Sequence, residues 1–432
     1  MKTAMQMNDM IIVSVDDHVI EPPDMFKRHM PKHLLDKAPR IVKVRDGEGW
    51  EFDGMRNPNF GLNAVVGRPP EEYGLEPASY ADIRKGTYDL KARVEDMSVN
   101  GILGSICFPT FPNFAGTFFL NAQDKELSKI VISAYNDWHI DEWCAGAPGR
   151  FIPLAILPLW DIAACVTEVR RVAAKGMRTI SFPDNPAAKG LPSVHSPHWD
   201  PLWAAMEELQ LVISCHIGSG ASAPYPSMDA PIDAWIVNMP MYIANAATEW
   251  LFSPVFKKFP RLKIALSEGG IGWVPYLLER ADFTYKHHRA WTHANFGDLL
   301  PSELFNSNFI TCFIDDQFGL QSTAALNTDM VTYECDYPHS DTLWPGAPEA
   351  LWSSIQHLPK TMIDKITHGN AMREFRYDPF AVLGRENCTV GALRAQAAHV
   401  NVKAVSGLGG YNPSNTEGRQ VTAGEVAKLF AA

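Results

Sequence analysis

The chain has 432 residues, 46% of them hydrophobic and 11% aromatic, with a formal net charge of −11 at pH 7. That is ample apolar material for a large buried core, and an acidic balance without a basic block argues against nucleic acid or an anionic membrane surface as partner. Seven cysteines without a Cys-x-x-Cys pair read as free thiols of a cytoplasmic protein, and no apolar run reaches the roughly 18 residues of a membrane span.

Eight hydrophobic, strand-like runs follow one another at residues 11–18, 101–109, 151–159, 176–183, 211–218, 262–269, 308–315 and 330–337, most of them succeeded by a helical pattern such as that of 201–209. Near-continuous apolar strands alternating with helices imply parallel pairing with both faces covered, and eight such strands close a barrel. The predicted fold class is therefore α/β, a (β/α)8 TIM barrel. An open doubly wound sheet is the alternative, weakened because no glycine-rich phosphate loop follows the first strand. One barrel domain is predicted over residues 1–400, with an insertion at 22–95 between the first two strands. Within it, residues 46–55 read as a hairpin or cap over the first strand's exit. Residues 401–432 read as an extended tail ending in a short helix, suited to packing on a neighbouring subunit of a homo-oligomer.

Residues able to hold a metal stand at the carboxyl ends of four of these strands, the end on which barrel enzymes build their active sites. In the first run a period of two places Asp16 and His18 on one face and Asp17 on the other, and Glu21 follows three residues later. His216 ends the fifth run, Glu268 the sixth, just before Gly269 and Gly270, and Asp336 the eighth, with His339 three residues beyond. Each has a plainer reading. Asp16 and His18 could be a hydrogen-bonded structural pair, Glu268 a helix cap, Glu21 the partner of an arginine, and His339 with Asp341 a turn cap or a support for the ligands. Phe108 and Phe111 after the second run, Phe182 after the fourth, Trp235 after the fifth and Trp344 after the eighth would line an apolar small-molecule pocket or pack the loops together.

Five motifs taken together carry a resemblance. They are Asp16-Asp17-His18, Cys215-His216-Ile217-Gly218, the run Phe259-Pro260-Arg261-Leu262-Lys263 ahead of a strand ending in Gly-Gly, Cys335-Asp336-Tyr337-Pro338-His339, and the closing Gly369-Asn370-Ala371-Met372-Arg373-Glu374-Phe375. In this order they resemble the amidohydrolase-related (amidohydrolase 2) family, in its aminocarboxymuconate-semialdehyde decarboxylase-like branch. The resemblance implies a distorted (β/α)8 barrel with Asp16, His18, His216 and Asp336 at metal positions. Two departures stand out: Glu268 occupies a position that is usually histidine in the family, and the strand at 176–183 has no lysine that could be carbamylated to bridge two zinc ions.

The implied chemistry is hydrolysis or non-oxidative decarboxylation of an apolar small organic acid or ester. Asp336, Glu268 and His339 are the catalytic candidates; Asp16, His18, Glu21, His216, Glu268 and Asp336 are the candidate ligands of one or two divalent ions, zinc or manganese. Four carboxylates around a single dication leave an excess of about −2, which a second ion would cancel. That oxygen-rich set keeps an alternative open, a non-haem di-iron monooxygenase that hydroxylates an aromatic, terpenoid or steroid-like substrate, free or as a CoA thioester.

Overall fold

The computed structural model describes residues 5–220, 227–413 and 418–431. Strand β1 (Val13–Val19) is followed by a small antiparallel sheet of β2 (Arg40–Val44), β3 (Gly47–Phe52) and β4 (Met55–Asn57). Then come β5 (Gly104–Pro109), β6 (Leu154–Ala155), β7 (Thr179–Ser181), β8 (Val212–His216), β9 (Lys263–Ser267), β10 (Phe309–Phe313) and β11 (Val331–Tyr333). These seven join β1 in one parallel sheet of order β5-β1-β11-β10-β9-β8-β7-β6. A parallel bridge from Ser105 to Phe151 links its two edges and closes the (β/α)8 barrel.

The barrel strands are shorter than their hydrophobic runs, and for two of them the cause is plain. Pro153 and Pro158 lack the N–H a ladder needs, so β6 is reduced to Leu154–Ala155. β11 stops at Tyr333, and Asp336 beyond it adopts φ +51, a left-handed backbone that cannot continue a strand.

The insertion makes two hairpins rather than one. Asp53 and Gly54, both at positive φ, form the two-residue turn between β3 and β4, the conformation whose twist matches antiparallel strands. From β3, Trp50 stacks on Phe111 at 4.7 Å and seats the small sheet on the loop after β5. The tail folds back on its own chain: Val405 N–H donates to Gly67 O, Tyr411 pairs with Glu76, and Thr422 pairs with Pro231. Its closing helix, Ala423–Ala431, lies against the helix Ile232–Phe252. All seven cysteines are buried and free. Among the described residues no helix is long and apolar enough to cross a membrane.

Candidate metal centre and active site

β1 is buried along its whole length, and its alternation divides the work of its polar residues. Asp17 turns away from the barrel axis, accepting from Tyr337 N–H at 3.0 Å and from the Ser105 hydroxyl. Asp16 and His18 turn inward. The carbonyl of His18 is held by the guanidinium of fully buried Arg93, whose Nε also bonds Gly86 O at 2.7 Å.

Inside the barrel mouth, His18 Nε2 lies 3.2 Å from His216 Nε2, 3.5 Å from Asp16 Oδ1 and 3.4 Å from Asp336 Oδ1. His216 Nε2 lies 3.5 Å from Asp16 Oδ2 and 3.4 Å from Glu268 Oε2. Donor atoms about 2.1 Å from one shared ion stand about 3.0–3.4 Å apart, so these edges match a coordination shell. His216 Nδ1 is 2.6 Å from Ile217 O, which fixes its proton on Nδ1 and leaves the Nε2 lone pair facing the cluster. Both Asp16 oxygens and Asp336 Oδ2 are buried without a hydrogen-bond partner. Buried polar atoms normally find one, and a cation would satisfy all three.

The electrostatics agree. Burial, and then neighbouring carboxylates, hold Asp16, Glu268 and Asp336 well above the ordinary carboxyl range. Burial lowers His18, and brings His216 down to about 3, so both imidazoles are neutral donors. Glu268 and Asp336 sit at φ +61 and +51, strained for residues with a Cβ, and such strain gathers where side chains must be aimed at a site. Gly269 follows because an added Cβ there would strike Ile243 of the helix Ile232–Phe252.

The structure thus brings together Asp16, His18, His216, Glu268 and Asp336, with His339 Nδ1 2.8 Å from Asp336 Oδ1. It places Glu21 elsewhere. Both Glu21 oxygens accept backbone N–H bonds, from Thr110 at 2.9 Å and Phe111 at 2.8 Å, which clamps it to the loop after β5, and it stands in neither metal-type group of the described residues. Nor is Glu268 a helix cap, since its side chain meets His216. One residue went unread: Glu334, whose Oε2 accepts from Glu268 N–H at 2.9 Å and from the Cys312 thiol. In the apolar run 330–337 it stands two residues before Asp336, the period-two spacing of one strand face, and that was the signal available. Burial raises it to about 7.

Above the cluster opens a cavity of about 890 Å³. Of the five aromatics expected to line it, only Trp235 does. Phe108 is buried beneath the cluster, its ring 5.2 Å from that of His216. Phe111 is covered by Trp50, and Phe182 is enclosed by Trp199, Trp203 and Trp250. Trp344 carries the Arg84 guanidinium over its ring and donates to Asp96 O. Phe114, Ile217, Met239 and Trp273 line the cavity instead. The tail adds Pro413, Val421 and Val426 to its wall, and the insertion adds Leu62 and Tyr73.

A 2-amino-3-carboxymuconate-6-semialdehyde decarboxylase of Dictyostelium discoideum is 24% identical over 306 residues, covering 69% of this chain and 80% of that protein. Among solved structures, an amidohydrolase from Mycobacterium avium subsp. paratuberculosis K-10 superposes with a TM-score of 0.65 at 20% identity, over 85% of this chain and 99% of its own. The 5-carboxyvanillate decarboxylase of Novosphingobium aromaticivorans DSM 12444, with bound manganese and 3-methoxy-4-hydroxy-5-nitrobenzoic acid, gives a TM-score of 0.60 at 16% identity, over 86% of this chain and 99% of its own. The structural likeness is one of fold. None of these relatives supports the di-iron oxygenase alternative, and the withdrawal of Glu21 removes an oxygen from the ligand set that motivated it. The Amidohydro_2 (amidohydrolase) profile matches residues 88–377, a span that takes in His216, Glu268, Asp336 and every barrel strand after β1, and the chain belongs to that family.

Proposed function

We propose that this chain is a metal-dependent carboxy-lyase that removes a carboxyl group as CO2 from an apolar, ring-bearing acid. The observation that carries the reading is a surplus of buried carboxyl groups around a metal-type donor cluster at the floor of an apolar cavity. The decarboxylase names of two relatives support it. Asp16, His18, His216 and Asp336 would hold one ion, for which manganese or zinc suits the mixed nitrogen and oxygen donors. When bound, that ion anchors the substrate carboxylate and withdraws electron density from the ring. Two negative charges balance one dication; with Asp16 and the substrate carboxylate supplying them, Glu268, Glu334 and Asp336 stay neutral acids, the form that burial favours.

Asp336 faces the cavity and is the proton donor in this reading. As the bond from ring carbon to carboxyl breaks, its electron pair stays on the ring carbon, CO2 leaves, and the Asp336 proton takes the vacated position. His339, 2.8 Å from Asp336 and also lining the cavity, returns a proton to it. Hydrolysis would ask a carboxylate at that position to accept a proton from water, whereas the surrounding carboxyl groups favour holding one. The seven free, buried cysteines fit a reducing, cytoplasmic setting.

The test is turnover of ortho-hydroxy aromatic acids by the manganese-loaded protein in D2O. One CO2 should leave per turnover, with one deuteron at the vacated carbon and no need for oxygen. Asp336→Asn should cost at least about 10²-fold in rate, the low end for a lost general acid. A product that keeps its carboxyl group and gains solvent oxygen would establish a hydrolase instead.

A further inference from the structure

The cavity's charged groups are all of one sign. Its acidic lining residues are Glu76, Glu268, Asp315, Asp316, Glu334, Asp336 and Asp341, and apart from His339 no basic residue is among its described lining residues. Three of these carboxyl groups have structural work, Glu334 by accepting from Glu268 N–H and the Cys312 thiol. Asp316 accepts N–H bonds from Ile271, Gly272 and Gly319, and Glu76 accepts from Asn63 N–H. Asp315 and Asp341 are exposed on the wall. The rest of the lining is mostly apolar, led by Ile232, Trp235, Ile236, Met239 and Trp273, with Asn63, Tyr73 and Ser340 as its polar members. At about 890 Å³ the cavity is near the upper end of the roughly 300–1,000 Å³ that accommodates drug-sized ligands, far more than a lone benzoate ring fills.

Resting on the decarboxylase reading, we infer that the substrate is a monocarboxylic acid with a large uncharged body. Its single anion goes to the metal cluster, its apolar frame fills the cavity, and only neutral or donor groups such as hydroxyls face Asp315 and Asp341. A second anion in the cavity would meet carboxylates with no cation to offset them. The chain would therefore discriminate against dicarboxylic acids, the kind that the names of its carboxymuconate and carboxyvanillate relatives describe.

Binding tests this without requiring turnover, because Trp235 and Trp273 report an occupied cavity by fluorescence. The probes are salicylate, 4-phenylsalicylate and 4-(4-carboxyphenyl)salicylate, titrated into the manganese-loaded protein. Phenylsalicylate should bind at least tenfold tighter than salicylate, and adding the distal carboxylate should lose at least tenfold. Asp315→Lys, a change on the exposed wall, should recover most of that second loss, read as the ratio of the two phenyl acids' affinities within the same variant. Equal or tighter binding of the dicarboxylate, or no recovery in Asp315→Lys, would overturn the inference. Predicted binding order without CO2 release would sink the proposed reaction and leave the pocket assignment standing; equally fast CO2 release from both phenyl acids would do the reverse.

Discussion

Glu21 and Asp336 are both fully buried carboxyl groups, yet one is satisfied by its own chain and the other is not. Glu21 receives two backbone N–H groups from the loop after β5, so its loss should weaken the fold and spare the metal. Glu21→Ala should lower stability by about 1–3 kcal/mol, the usual penalty for stranding buried hydrogen-bonding groups, with metal content unchanged by elemental analysis. Burial raises Glu21 from 4.5 to about 7. Its folded-state value therefore lies above its unfolded one, and the stability it contributes is present below about pH 4.5 and lost as pH rises to about 7. Urea unfolding at pH 5 and pH 8 should show a smaller loss with pH in Glu21→Gln than in the parent; equal losses would count against this. Asp16 and His18 were legible because a strand's period of two is robust. Glu21 was misread because the acceptor-seeking amides of Thr110 and Phe111 lie almost ninety residues away.

At the scale of elements, the contact between Gly269 and the helix Ile232–Phe252 joins the metal cluster to the cavity wall. The helix approaches so closely that a methyl group at residue 269 would collide with Ile243, while the same helix presents Trp235 and Met239 to the cavity. Gly269→Ala should cost about 1–3 kcal/mol by overpacking and weaken binding of 4-phenylsalicylate. Adding Ile243→Ala should restore binding, since residues in contact couple; two additive losses would show that the helix does not transmit the change. The eight strands were readable as apolar runs, and the aromatics beside them were not assignable. Phe182 at a strand end looks the same in sequence whether it faces a cavity or, as here, a nest of three tryptophans. Which layer it enters depends on helices it meets only after folding.

For the molecule as a whole, the buried acids make stability depend on the metal. Without an ion, Asp16, Glu268 and Asp336 take up protons more readily folded than unfolded. These three groups should therefore cost the apoprotein stability as pH rises through their raised values. A bound dication favours the ionised form of the carboxylates that hold it and reduces that loss. Calorimetry with manganese and with chelator should show a Tm gap that widens from pH 5 to pH 8; a constant or narrowing gap would contradict the charge balance proposed for the site. The tail has a further consequence, in the order of synthesis. Its last helix and the residues before it supply Val421 and Val426 to the cavity wall, while the donor cluster is complete once Asp336 has been made. Synthesis supplies Asp336 some 85 to 90 residues before Val421 and Val426, so a chain clipped after the barrel would leave the donor cluster at the floor of an open bowl.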